Sequence, residues 1–361
     1  MEMLMNELFT IELGIVLLAF LGISIFRWAF KTLTREGWQI ALAVPLRTSS
    51  QMNRFWPAIN FTFYGVISGV AYGIAVALFI FLVGAYKQPV ASAALFAALL
   101  LAVGIPASKL VARWVEGIPG HTIGGALFAV LVSAIPALSI TKWLTEALAL
   151  PAFDAGVVIA AACIAYVLGE AIGRLACLSF GCCYGRPLSQ CTSLQKALYS
   201  RFTDTYRGRF KKIAYASGLN DQPVIAVQSI ACAVLFVLFL LALWMFWKGY
   251  IAASIVTALG GSQLWRVYSE QLRADFRGRD GFTHYQAMAI VGALLSTAFA
   301  WFYGQAAPSA LASALAGWRA VTQSEVIVAS QLLAVLIALF MGRSSVTSSR
   351  LEMLLHEPQK R

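Results

Sequence analysis

Charge is what this chain has least of. Only 12% of its 361 residues are Asp, Glu, Lys or Arg, while 60% are hydrophobic; soluble domains carry about a quarter charged residues. That shortage excludes a soluble globular protein. Strict apolar–polar alternation is also missing, which argues against a β-barrel. The chain has no tandem repeat and no low-complexity linker, so one domain with a small head is expected. Histidine is rare, with three in all. The six cysteines include no C-x2-C pair and adjoin no histidine in sequence, so neither a zinc site nor any other metal or cofactor is expected. The first apolar segment follows Glu7 and Glu12 and lacks both a basic leader and a small-residue cleavage site. It therefore reads as a retained helix rather than a signal peptide.

What is present is a series of apolar runs near twenty residues long, enough to cross a hydrocarbon core of about 30 Å. They lie at 9–30, 61–84, 91–112, 122–141, 156–178, 223–247, 249–268, 284–303 and 325–342. The expected fold is all-α, a polytopic membrane helix bundle. One polar insert, 188–222, is too hydrophilic to span and interleaves aromatic with basic residues in LYSRFTDTYRGRFKK. It forms the head. A solvated charged face is its plain reading, and no nucleic-acid partner is expected.

With nine spans the polar segments alternate between two faces. Lys87, Lys142, Lys248 and Arg319 fall on one face, and the remaining 23 of the 27 basic residues fall on the other. Basic loops stay cytoplasmic, so the charge bias places the head in the cytoplasm.

Charges within the spans carry the chemistry. A charged group at mid-bilayer costs about 2.5–3.5 kcal/mol on insertion scales, so each needs a reason. Arg174 ends one span with Glu170 four residues earlier, on the same helical face. Arg266, Glu270 and Arg273 follow at i, i+4 and i+7 in RVYSEQLR, on one stripe. Such residues can be ion pairs at the membrane rim. Converging arginines also suit phosphate, which guanidinium grips in a planar fork, and phospholipid headgroups are the abundant phosphate of a bilayer. His121 stands at the mouth of another span in EGIPGHTIGGALFA, and Tyr64 at the start of the span 61–84. Alone, each reads as an interfacial residue; together with the arginines, His121 becomes a candidate base. Cys177, Cys182, Cys183 and Cys191 read as small packing residues, with a nucleophilic cysteine conceivable but lacking an adjacent base.

Taken in order, these residues resemble the prolipoprotein diacylglyceryl transferases. The resemblance covers roughly 57–303. It rests on the Tyr-Gly of TFYGVISG, on GHTIGGAL, on GRLACLSFGCCYGRP at 173–187, on PVIAVQS, on RVYSEQLR and on GFTHYQAM. It implies a seven-helix transferase-like core with one extra helix at each end: an N-terminal helix and basic loop at 1–56 and a C-terminal helix and tail at 304–361. It also implies a bacterial cytoplasmic (inner) membrane enzyme. Such an enzyme moves the diacylglyceryl group of phosphatidylglycerol to the lipobox cysteine of a prolipoprotein and releases glycerol 1-phosphate. Carried onto this chain, Arg174 and Arg266 hold the phosphate and His121 is the base for the thiol. Tyr64, Glu270, Arg273, Arg186 and Gln228 line the substrate, with Glu270 fixing Arg266.

The chain departs from the family pattern at four places. Thr122 and Ile123 separate His121 from Gly124-Gly125. Gln228-Ser229-Ile230-Ala231 lacks the family's acidic residue. Ala176 replaces a glycine, and Lys109 stands near where a second-helix arginine is usual. The family works on the extracytoplasmic face, opposite to what the charge bias indicates. Two alternatives therefore stand beside the transferase: a paralogue that transfers to a non-lipoprotein acceptor on the cytoplasmic side, and a non-catalytic phospholipid-binding or transport protein.

Overall fold

A computed structural model of the chain describes residues 2–45, 55–117, 120–278, 281–305, 308, 311–344 and 350–352. It opens with α1 (Glu2–Thr32), a hairpin of β1 (Ile40–Pro45) and β2 (Phe55–Thr62), and four long helices. These are α2 (Phe63–Ala85), α3 (Val90–Glu116), α4 (Ile123–Ala147) and α5 (Ala155–Phe180). The head holds α6 (Ser193–Tyr199), β3 (Thr203–Thr205), α7 (Lys212–Ser217) and β4 (Pro223–Ile225). Then come α8 (Val227–Trp247), α9 (Ile251–Ile255), a π-helical turn (Val256–Gly260), α10 (Gly261–Glu270) and α11 (His284–Tyr303). The chain closes with α12 (Ala314–Val321), α13 (Ser324–Gly342), β5 (Arg343–Ser344) and β6 (Arg350–Glu352).

Among the described residues, eight helices are long and apolar enough to cross a membrane, and the fold is an all-α multi-pass bundle. Its outer surface is apolar, with Leu17, Phe20, Val132, Trp301 and Phe302 all exposed, as lipid contact requires. The bundle is organised around α5. In its apolar window 67% of the residues are buried, against 17% in α1 and 11% in α13. The two end helices are the least buried of the eight, and α5 packs on α2, α8 and α9.

The ninth expected span, 249–268, is a rod of α9, the π turn and α10. Continuous helix over 251–270 is about 30 Å long at 1.5 Å per residue. Its second half is inside out. Ser262, Gln263, Arg266, Ser269 and Glu270 are buried, while Leu264 is 64% and Tyr268 43% exposed. A helix that hides its polar face and shows its apolar one is matched to lipid outside and a polar seam within.

The way α13 docks follows from small residues. Gly65, Gly69 and Gly73 repeat every fourth position on α2, and built side chains there would run into Gly342, Ala338 and Ala334 of α13. Without a hydrophobic driving force between helices in lipid, close backbone approach is what holds such a pair.

Two boundaries differ from the sequence reading. The stretch 223–225 is a strand paired with β3, so α8 starts at Val227; Pro223 begins the strand, where its missing N–H costs no ladder bond. Position 56 is not a break, because it lies inside β2. Antiparallel pairing of β2 with β1, β5 and β6 joins the loop after α1 to the tail after α13. These segments and the head share one face, as span alternation requires. Arg207 N–H donates to Thr34 O at 3.0 Å. The fully buried Lys211 Nζ donates to Leu33 O at 3.1 Å and to Ser179 O at 2.6 Å. It thereby caps orphan carbonyls at the ends of α1 and α5. Burial pulls the Lys211 ammonium down to about 8, partly opposed by Glu36.

Candidate functional site

The polar seam lies where α5, α10, the end of α3 and the start of α4 meet, at the head side of the bundle. Its inner part is built on Glu170. Arg174, one helical turn further along α5, and Arg266 of α10 both donate through Nη2 to Glu170 Oε1, the latter at 2.5 Å. The Tyr166 hydroxyl donates to Glu170 Oε2 and accepts from Arg266 Nη2 at 3.1 Å. Both guanidinium groups are nearly buried, with side chains 13% and 9% exposed. The Nε atoms of Arg174 and Arg266 are buried and meet no acceptor. Two cations share one carboxylate here, so the inner part carries one positive charge in excess.

The outer part sets two arginines against three carboxylates, an excess of one negative charge. Glu270 pairs with Arg273 at 3.6 Å and with Arg277 at 2.6 Å. Arg273 also binds Asp275 in a two-point fork at 2.8 and 2.5 Å. Arg277 reaches Glu116 of α3 at 3.1 Å and lies over the Tyr285 ring at 4.0 Å, and the Tyr285 hydroxyl donates to Glu116 at 2.8 Å. These bonds lash α3, α10 and α11 together at one level.

The start of α4 adjoins the inner part. A side chain built at Gly124 would come to 2.8 Å from Arg266 Nη1, so the guanidinium sits against the helix backbone at its first turn. Thr122 caps that helix by accepting from Gly125 N at 3.4 Å. A helix N-terminus carries partial positive charge. It therefore adds to the potential of Arg266, an arrangement suited to an anion and costly without one.

The residues singled out from sequence are placed as follows. Arg174, Arg266, Glu270 and Arg273 are brought together. Glu270 holds Arg273 and Arg277, while Arg266 is held by Glu170, so the fixing of Arg266 falls mainly to α5 rather than to its own helix. Tyr64 stacks edge-on to Phe180 at 5.6 Å. Gln228 donates from Nε2 to Cys183 O, with its Oε1 buried and unpartnered. Arg186 is exposed, and its backbone N–H donates to Leu272 O at 2.9 Å. The His121 ring lies outside the ion-pair network. It meets Phe340 edge-on at 5.7 Å, with Nδ1 3.5 Å from Ser108 Oγ. Burial and the charge of Lys109 lower its pKa, which keeps the imidazole neutral and able to accept a proton.

Five residues of the seam were not signalled by sequence spacing: Tyr166, Glu116, Asp275, Arg277 and Tyr285. Tyr166 stands one helical turn before Glu170 on α5, whereas Asp275 and Arg277 lie in the non-helical segment after α10, where helical spacing says nothing. Glu116 and Tyr285 join from other helices and left no local trace. The cysteines also gather. The Sγ atoms of Cys177, Cys182 and Cys183 lie within 4.8 Å of one another. Hydrogen bonds from Cys177 and Cys182, then the charges of Arg273 and Arg277, hold the Cys183 thiol well below its ordinary pKa despite burial.

No protein-family profile matches the chain, and no curated protein matches it.

Proposed function

We propose that this protein is a phospholipid-dependent transferase of the bacterial inner membrane, moving the diacylglyceryl group of phosphatidylglycerol to a thiol, the lipobox cysteine of a prolipoprotein. The observation that carries the reading is the pair of buried Nε–H donors of Arg174 and Arg266, both without an acceptor. Buried unpaired donors of this kind cost free energy. A phosphate diester between them supplies the missing acceptors beside the locally positive inner part. The start of α4 beside Arg266 adds to the same potential.

In the proposed reaction the acceptor thiolate attacks the glycerol carbon that bears the phosphate. A C–S bond forms, the C–O bond breaks, and its electron pair leaves with glycerol 1-phosphate. Negative charge grows on the phosphate oxygens as that bond breaks. Arginines already fixed by Glu170 and Tyr166 stabilise the charge without having to reorganise. His121, neutral near pH 7, is the candidate acceptor of the thiol proton. The test is release of glycerol phosphate from phosphatidylglycerol by the detergent-purified protein, dependent on an added thiol. No turnover with any thiol contradicts the reading.

The basic bias of the head-side face favours a second reading, in which the same site serves a cytoplasmic thiol. An impermeant maleimide directed at a cysteine placed at Ser200 separates the two. Labelling from outside the cell selects the prolipoprotein acceptor, and labelling only from the cytoplasm selects the other.

A further inference from the structure

Three of the six cysteines do not behave as packing residues. Cys163, Cys191 and Cys232 are buried singly, as small apolar residues are. Cys177, Cys182 and Cys183 instead bring their sulfurs together. Zn–S bonds near 2.3 Å in a tetrahedral arrangement put ligand sulfurs about 3.8 Å apart. Three sulfurs within 4.8 Å of one another are thus a small contraction from a coordination triangle.

The convergence is made by the backbone. Gly181 ends α5 in the left-handed region at φ 70°, and both Gly181 N–H and Cys182 N–H turn back onto Cys177 O, at 2.8 and 3.2 Å. Cys183 is itself left-handed, at φ 55°. For a residue with a Cβ that conformation costs about 1–2 kcal/mol, and strain of this kind is kept where a side chain has to be aimed. The loop is then clamped from outside. Gln228 donates to Cys183 O, Ala274 N–H donates to Tyr184 O at 3.0 Å, and Gly185 bridges to Arg273. Such outer contacts are what orient ligands in a metal site. Cys182 and Cys183 are only half-buried, which leaves a way in.

We propose that Cys177, Cys182 and Cys183 form a three-thiolate site for one Zn2+ ion at the head-side end of α5. The linear spacing C-x4-C-C hides it, because the closing element is the left-handed turn and not a C-x2-C knuckle. With three protein ligands the fourth position on the ion is open to water or another donor, and binding displaces the thiol protons. The site does not depend on the transferase reading.

The test is metal binding by the full-length protein in detergent, stripped with a chelator and titrated with Zn2+ alone against a colorimetric competitor. One equivalent is expected to bind. Cys177→Ser, Cys182→Ser and Cys183→Ser are each expected to weaken binding by about tenfold or more, while Cys163→Ser and Cys232→Ser leave it unchanged. A second measurement needs no variant: Co2+ added to the stripped wild-type protein should give the intense near-ultraviolet charge-transfer band of thiolate coordination. Absence of that band overturns the proposal. So does zinc binding that survives all three serine substitutions.

Discussion

Arg174 and Arg266, from two different helices, place their Nη2 atoms on the same oxygen of Glu170. The carboxylate is the hinge of the seam, since it positions both guanidinium groups and is their shared counter-charge. Glu170→Gln leaves two buried cations short of an anion. Breaking a buried pair by removing one partner costs about 3–5 kcal/mol. Thermal unfolding in detergent is expected to show that loss, partly recovered by added phosphatidylglycerol if an anion takes the place of the lost charge.

Gly124 gives a test that separates positioning from folding. Its absent side chain leaves the space beside Arg266 Nη1, and the atom that must yield to a methyl group is the far end of a flexible side chain. Gly124→Ala should therefore change stability by less than about 1 kcal/mol, yet displace the guanidinium. Misplacement of about 1 Å can cost about 100-fold in rate. The expected result is a fall of roughly 10- to 100-fold in phospholipid turnover with an unchanged melting temperature.

Docking of α13 onto α2 rests on the stripe Gly65, Gly69, Gly73. At Gly69 a side chain would meet Ala334 O and the Ala338 methyl. Gly69→Leu is expected to destabilise the bundle by about 1–3 kcal/mol through overpacking, read as a lower midpoint of thermal unfolding. The control is Val70→Leu on the neighbouring face, where the native side chain is 49% exposed; it should have little effect.

The head carries a pH dependence. Burial raises the Asp204 carboxyl to about 6, against a usual 3.8, with Ser229 partly opposing. The folded state then prefers the protonated acid, so this group favours folding fully below about pH 4 and loses that contribution as pH rises through about 6. The shift corresponds to about 3 kcal/mol. Asp204→Asn, which stays neutral, should flatten this part of the stability profile between about pH 4 and 7, measured by unfolding at each pH.

Much of the bundle was legible in the chain because lipid imposes a simple demand: an apolar run of sufficient length must be a helix. Among the described residues, eight of the nine expected spans appear as single long apolar helices, and the ninth, 249–268, is the broken rod of α9, the π turn and α10. The π turn at Val256–Gly260 left no such mark, since no proline or polar break announces it. Strands β1 and β2 were likewise hidden, because β2 also pairs with segments far along the chain. In the seam, contacts along one helix, such as Glu170 with Arg174, could be read from spacing. Contacts between helices, such as Glu170 with Arg266 or Arg277 with Glu116, depend on packing angles that local pattern does not encode. The cysteine triangle depends on the backbone sign at Gly181 and Cys183, and His121 was drawn toward the seam by sequence order while its ring packs on Phe340.

Transfer itself is read by mass spectrometry of a lipobox peptide incubated with phosphatidylglycerol and the purified protein. A diacylglyceryl thioether is expected on the peptide cysteine, formed by the native protein and abolished in both Arg174→Ala and Arg266→Ala. A thioether yield undiminished in both variants, or none with the native protein, contradicts the transferase reading.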